Sequence, residues 1–166
     1  FIIMAGGESM TFGEARDEAA DVAGLLNELE VQPGDRVAVM LHNGLDFIRA
    51  WAGIARLGAV MVALNTELVG SILQSQIERS KARIAIVGER CLQSFSEANQ
   101  TSSGGYSVEK ILIAGVFDDA THTPNPTAGV QRMQFSEWRE AKPYVGEFAK
   151  PSDIACILYT SGTTGP

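Results

Sequence analysis

Between residues 36 and 87 the chain repeats one pattern: a short apolar run, a helical pattern, then another apolar run. Arg36-Val37-Ala38-Val39-Met40-Leu41 is nearly continuous in apolar character. Such runs suit strands covered on both faces, as in a parallel sheet enclosed by helices. An apolar helical segment follows to Leu57, with Gly58 just beyond it, and residues 59–64 form the next run. The join is a β-α-β crossover, right-handed because right-twisted strands pack back onto the sheet only that way. A helix over 68–80, a strand over 83–87, a helix from Glu89 that frays in the polar stretch 99–105, and a strand over 110–114 extend the alternation. A short helix near 135–141 and a last strand over 153–159 complete it. The expected fold class is α/β: a largely parallel, doubly wound sheet with helices on both faces.

Local signals sharpen this outline. Phe12, Ala15, Ala19, Val22, Leu26 and Leu29 recur at steps of three and four, which puts them on one face of a helix over 11–29. Thr11 followed by Glu14 is a capping-box signature for its start. Glu14, Arg16, Asp17, Glu18 and Asp21 make the opposite, solvated face. Pro33-Gly34-Asp35 marks a turn. Asn43 is placed to cap the helix that ends at Leu57. Leu45, Phe47, Ile48, Trp51, Ala52, Ile54 and Ala55 predict that this helix is buried on most sides. Residues 118–131, rich in Pro, Thr and Asp, are expected to form an exposed, mobile loop.

Length and charge bound the function. At 166 residues the chain supports one α/β domain with a sizeable core. A net charge of -7, with 13 basic and 20 acidic residues, argues against a nucleic-acid surface, which needs a basic stripe. A single small anion held by backbone N–H groups needs no such charge. Cys91 and Cys156 form no C-x-x-C pattern, so a reducing, cytoplasmic setting is expected. No basic-flanked leader and no apolar stretch of membrane-spanning length is visible. A homo-oligomer is compatible with this composition. The chain begins without Met and stops at Pro166 inside a motif, and so reads as a fragment.

Isolated chemistry-bearing residues are read structurally. His42 ends a strand but has no second His or carboxylate pattern beside it, so a satisfied structural histidine is expected. His122 falls in the loop and reads as solvated, as does the pair Asp118-Asp119, which lacks the further ligands Mg²⁺ would need. Cys156 lies in an apolar strand and is expected to be a buried, inert thiol. Trp51 and Trp138 are expected in the core.

The last strand runs into Thr160-Ser161-Gly162-Thr163-Thr164-Gly165-Pro166. Open α/β sheets place their ligands at the carboxyl ends of strands. Gly162 and Gly165 allow close backbone approach to a bulky anion, while the hydroxyls of Thr160, Ser161, Thr163 and Thr164 can donate to phosphate oxygens. The Walker A spacing cannot be laid on this loop. Composition alone serves a Ser/Thr/Gly surface turn equally well.

The order of residues does more. Ile157-Leu158-Tyr159-Thr160-Ser161-Gly162-Thr163-Thr164-Gly165-Pro166 closely resembles the phosphate-loop signature of the adenylate-forming (AMP-binding) superfamily, which includes acyl-CoA synthetases, firefly luciferase and peptide-synthetase adenylation domains. Met10-Thr11-Phe12-Gly13-Glu14 is similar to that family's first helix start, and Val31-Gln32-Pro33-Gly34-Asp35-Arg36-Val37-Ala38 to its turn and strand. Asn43 with Trp51-Ala52-Gly53-Ile54-Ala55-Arg56-Leu57-Gly58-Ala59-Val60 resembles the next segment. Ala63-Leu64-Asn65-Thr66 stands where the family often has Pro-Leu-Asn-Pro and, together with Glu67-Leu68-Val69-Gly70, is more similar to the carnitine/crotonobetaine-CoA ligase and fatty-acid transport type branches. At position 42 stands His where many relatives have Pro.

The resemblance implies an N-terminal, partial AMP-binding domain over residues 1–166, truncated within the phosphate loop. It further implies an acyl-CoA ligase of fatty-acid type metabolism acting on a small-molecule carboxylate with ATP, Mg²⁺ and CoA. Thr160, Ser161, Gly162, Thr163, Thr164 and Gly165 would hold the phosphates. In that family the catalytic Lys, the acidic Mg²⁺ ligand and the acyl and adenine contacts all come from later sequence, so these residues alone are expected to be inactive. The rival expectation is a non-catalytic, flavodoxin-like module that binds a small anion.

Overall fold

The computed structural model describes residues 2–100, 105, 107–115 and 129–160. A two-stranded antiparallel hairpin opens the chain, β1 (Ile2–Ile3) with β2 (Ser9–Met10). Helix α1 (Phe12–Glu28) begins at Thr11, whose hydroxyl accepts from the Glu14 N–H while the Glu14 carboxylate accepts from the Thr11 N–H, a complete capping box.

Strands β3 (Arg36–Met40), β4 (Val60–Ala63), β5 (Ile84–Gly88), β6 (Lys110–Ala114), β7 (Gln131–Gln134) and β8 (Cys156–Leu158) form one six-stranded sheet in the order β7-β6-β5-β3-β4-β8, every neighbour parallel. Helices α2 (Leu45–Leu57), α3 (Gly70–Ser80) and α4 (Leu92–Ala98) make crossovers, and 3₁₀ turns occupy Glu89–Cys91 and Phe135–Arg139. Successive strand residues point to opposite faces. Val37, Val39, Ile84 and Ile86 therefore join the α1–α2 core. Ala38, Met40, Ala85 and Val87 join the α3–α4 core on the other face. The doubly wound parallel sheet is as the apolar runs predict.

Several expectations are corrected. Gly44, not Asn43, stands at the N-cap of α2, and no side chain caps it. Gly58 does close that helix, in the left-handed conformation at φ +80°. Helix α2 is buried along one face only: Ala50, Gly53, Ile54 and Leu57 are covered, whereas Trp51 is 48% exposed. Trp51 is thus a surface residue, while Trp138 is in the core as expected. α1 covers a single flank of α2, and an apolar helix surface records nothing about which flank a neighbour will take.

Strand β7 carries no apolar run (Gln131-Arg132-Met133-Gln134) and is not legible as a strand. It lies at the sheet edge, where half-buried polar side chains are tolerated. The last strand is shorter than expected and lies at the opposite edge, with Cys156 exposed rather than buried. Among the described residues only β4 pairs with it; Ile157 packs half-buried against the α3–α4 core, while Cys156 and Leu158, on the other face, are exposed.

Candidate functional site

All six strands point the same way, so their carboxyl ends share one edge, where crossover loops can gather around a ligand. Winding reverses between β3 and β5, since β4 lies to one side of β3 and β5, β6 and β7 follow on the other. The order β4-β3-β5-β6-β7 is flavodoxin-like. At that reversal lies a crevice of about 330 Å³, walled by Leu41, His42, Asp46, Arg49, Gly88 and Glu89 among others. A smaller hollow of about 110 Å³ lies at the opposite, amino-terminal edge, beside Arg36, Ile84 and Lys110, away from the ligand-bearing strand ends.

One wall of the crevice is cross-linked by ion pairs. The Arg49 guanidinium donates to Glu18 at 2.7 Å and to Asp46 at 3.0 Å, and stands 5.5 Å from the Trp138 ring centre. Burial works against its charge, but the two carboxylates outweigh that and raise its pKa. His42 is exposed at the crevice, and its Nδ1 makes a long contact, 4.0 Å, with Cys91 Sγ. The Cys91 thiol is pushed up by burial and by the nearby Glu67 charge, which favours the uncharged form. This pairing joins residues 49 apart and leaves no local sequence signal.

The sequence-predicted site starts two strands away. β8 runs parallel to β4 with Met61 opposite Cys156, Val62 opposite Ile157 and Ala63 opposite Leu158. It delivers Tyr159 and then Thr160 to the ligand-bearing edge, and Thr160 is exposed. Tyr159 donates its hydroxyl to the Gln76 carbonyl of α3 at 3.0 Å, which ties the strand exit to the helix layer. Ser161, Gly162, Thr163, Thr164 and Gly165 lie outside the described residues, as do Asp118, Asp119 and His122. Among the described residues no helix is long and apolar enough to cross a membrane.

The sequence profile of a family described as "AMP-binding enzyme" matches residues 1–166. The 4-hydroxybenzoate–CoA/benzoate–CoA ligase of Rhodopseudomonas palustris is 31% identical over 157 residues, which cover 95% of this chain and 27% of that protein. The crotonobetaine/carnitine–CoA ligase of Salmonella typhimurium is 27% identical over 154 residues, 93% of this chain and 28% of that one. Among solved structures, the anthranilate CoA ligase AuaEII in complex with anthranoyl-AMP superposes with a TM-score of 0.77 at 26% identity, over 95% of this chain and 28% of that one. The chain thus spans a little over a quarter of the length of the relatives it matches.

Proposed function

The chain belongs to the AMP-binding enzyme family, and from that premise we propose that it is the phosphate-loop-bearing part of an ATP-dependent, AMP-forming acyl-CoA ligase. One observation carries the reading. A parallel edge strand, β8, ends at the ligand-bearing edge just where the Thr160-Ser161-Gly162-Thr163-Thr164-Gly165 run begins. The solved relative in complex with anthranoyl-AMP supports the same chemistry.

In this reading a carboxylate oxygen attacks the α-phosphorus of ATP, the bond to the bridging oxygen breaks, and pyrophosphate leaves. The CoA thiol then attacks the acyl carbon, and AMP departs. The loop's share is electrostatic: its N–H and O–H groups fix the β- and γ-phosphates and stabilise the charge that builds on pyrophosphate as it leaves. Among the described residues no group of three or more His, Cys, Asp or Glu side chains could hold the Mg²⁺ that accompanies ATP, so no step is assigned to it. Expressed alone, these 166 residues are proposed to be inactive, because they make up only about a quarter of such a ligase.

The test is Thr163→Ala with Thr164→Ala in the longest natural polypeptide that carries this chain. Carboxylate-dependent pyrophosphate exchange is expected to fall by roughly tenfold to a thousandfold, the range for losing one or two donors to developing charge, with little change in thermal stability. Unchanged exchange would take the loop out of the mechanism and leave the flavodoxin-like crevice between β3 and β5 as the site.

A further inference from the structure

Strand β8 presents a mechanical problem. It is three residues long, meets a single described neighbour, and leaves Cys156 and Leu158 exposed. Burial holds it only through Ile157, which packs half-buried against the α3–α4 core, yet any loop that follows takes its origin from this strand.

The segment leading into β8 crosses α1 and α2 as a strap. Lys142 donates its N–H to the Glu28 carboxylate at 3.3 Å, and its carbonyl lies where a side chain on Gly24 would stand. Tyr144 donates its N–H to the Ala20 carbonyl at 2.8 Å. Beyond that point burial gives out, since Val145 is 92% and Phe148 76% exposed. Arg56, in the last turn of α2, takes over. Its guanidinium donates to the carbonyls of Tyr144 at 3.0 Å, Gly146 at 3.2 Å and Glu147 at 3.4 Å. The same group lies 5.2 Å from the Tyr144 ring centre and 4.0 Å from that of Phe148. Ion pairs among the described residues do not include Arg56. A turn closed by Asp153 N–H to the Lys150 carbonyl, 2.9 Å, then feeds Ala155, whose carbonyl accepts from Met61 N–H at 3.1 Å.

We propose that Arg56 is a positioning residue for the phosphate loop: its guanidinium fork clamps residues 144–148 and so fixes where β8 enters the sheet edge and where the loop starts. The proposal rests on the loop reading given above. A planar fork can satisfy several carbonyls and stack between two rings at once, which a lysine ammonium cannot. The plainer role, a cation placed at a helix C-terminus, is served equally by either residue.

That difference supplies the experiment, again in the longest natural polypeptide. Arg56→Lys keeps the helix-end charge and removes the fork. It is expected to raise KM for MgATP in pyrophosphate exchange by about tenfold to a hundredfold, the scale of a small misplacement of a binding group. KM for the carboxylate and the Tm should stay near wild type. Gly146→Ala reaches the same clamp from the other side, because an added Cβ would overlap the Tyr144 ring, and it should move KM for MgATP in the same direction. Wild-type KM for MgATP in Arg56→Lys overturns the proposal, and so does a fall in Tm with every kinetic parameter weakened together. The Thr163→Ala, Thr164→Ala variant separates the two failures. If it abolishes exchange while Arg56→Lys does nothing, only the clamp is refuted; if it leaves exchange intact, the loop reading falls and the clamp with it.

Discussion

Asn99 and the two cysteines show how much a single residue depends on what approaches it from afar. Asn99 is wholly buried at the end of α4, and its amide both donates to the Val108 carbonyl and accepts from the Val108 N–H, each at 2.9 Å. Two backbone groups leading into β6 are thereby satisfied without a strand partner. In sequence the same residue reads only as the first of a polar stretch in which the preceding helix frays. Thr11 and Glu14 are legible by contrast, because their reciprocal bonds span three residues and need nothing distant. Cys156 departs from its sequence expectation in an equally physical way. Cys156 lies in an apolar run yet is exposed, and Cys91 is buried with its thiol pushed toward the protonated form. Thiolate is the reactive species. A maleimide added to the native protein at neutral pH should therefore label Cys156 promptly and reach Cys91 only after denaturant is added. Equal labelling of both in the native state would contradict the burial of Cys91.

At the scale of elements, α2 is the informative case. Its apolar residues surround the helix, so the sequence predicts a helix and its end at Gly58 but not the face that meets α1. That face is set where Gly53 sits against Val22, an approach close enough that a Cβ on Gly53 would collide with the valine side chain. Ile54 is then fully covered, while Ile48 is half-buried. Deleting a large aliphatic side chain costs about 2–5 kcal/mol only where the cavity left behind is enclosed. Ile54→Ala should lose that amount in chemical denaturation, and Ile48→Ala clearly less. The same logic explains β8: its apolar run resembles those of β3 and β5 in sequence, and only the missing neighbour makes it an edge. Equal losses for the two isoleucines would mean that α2 is covered on both flanks.

Across the whole molecule, the order of elements from α1 to β6 was legible because helical and strand periods are local, whereas the β1–β2 hairpin, β7 and the order of strands in the sheet were not. That β5 sits beside β3 rather than beside β4 follows from the α3 crossover covering the opposite face from α2, a long-range outcome. The candidate site divides in the same way. Its loop residues were legible as a motif, but the Arg56 clamp and the Tyr159 tether that lead to it join residues 83 to 91 positions apart, and the strap's bond from Lys142 to Glu28 spans 114. The resulting sheet is uneven in stability. Amides of Val37, Val39, Ile84 and Ile86 belong to residues buried between two helix layers, and their exchange with solvent requires the whole domain to open. β8 can open by losing three residue pairs at one edge. Local openings cost anywhere from near zero to the full unfolding free energy, about 5–15 kcal/mol for a domain of this kind. Native-state hydrogen exchange should accordingly rank β3 and β5 slowest and Cys156–Leu158 well ahead of them. Arg56→Lys should speed the β8 amides further while leaving β3 and β5 untouched, since only the edge depends on the strap. Protection of β8 equal to that of β3 would show that the edge is held by something stronger than the clamp, and the special place given to Arg56 would be lost.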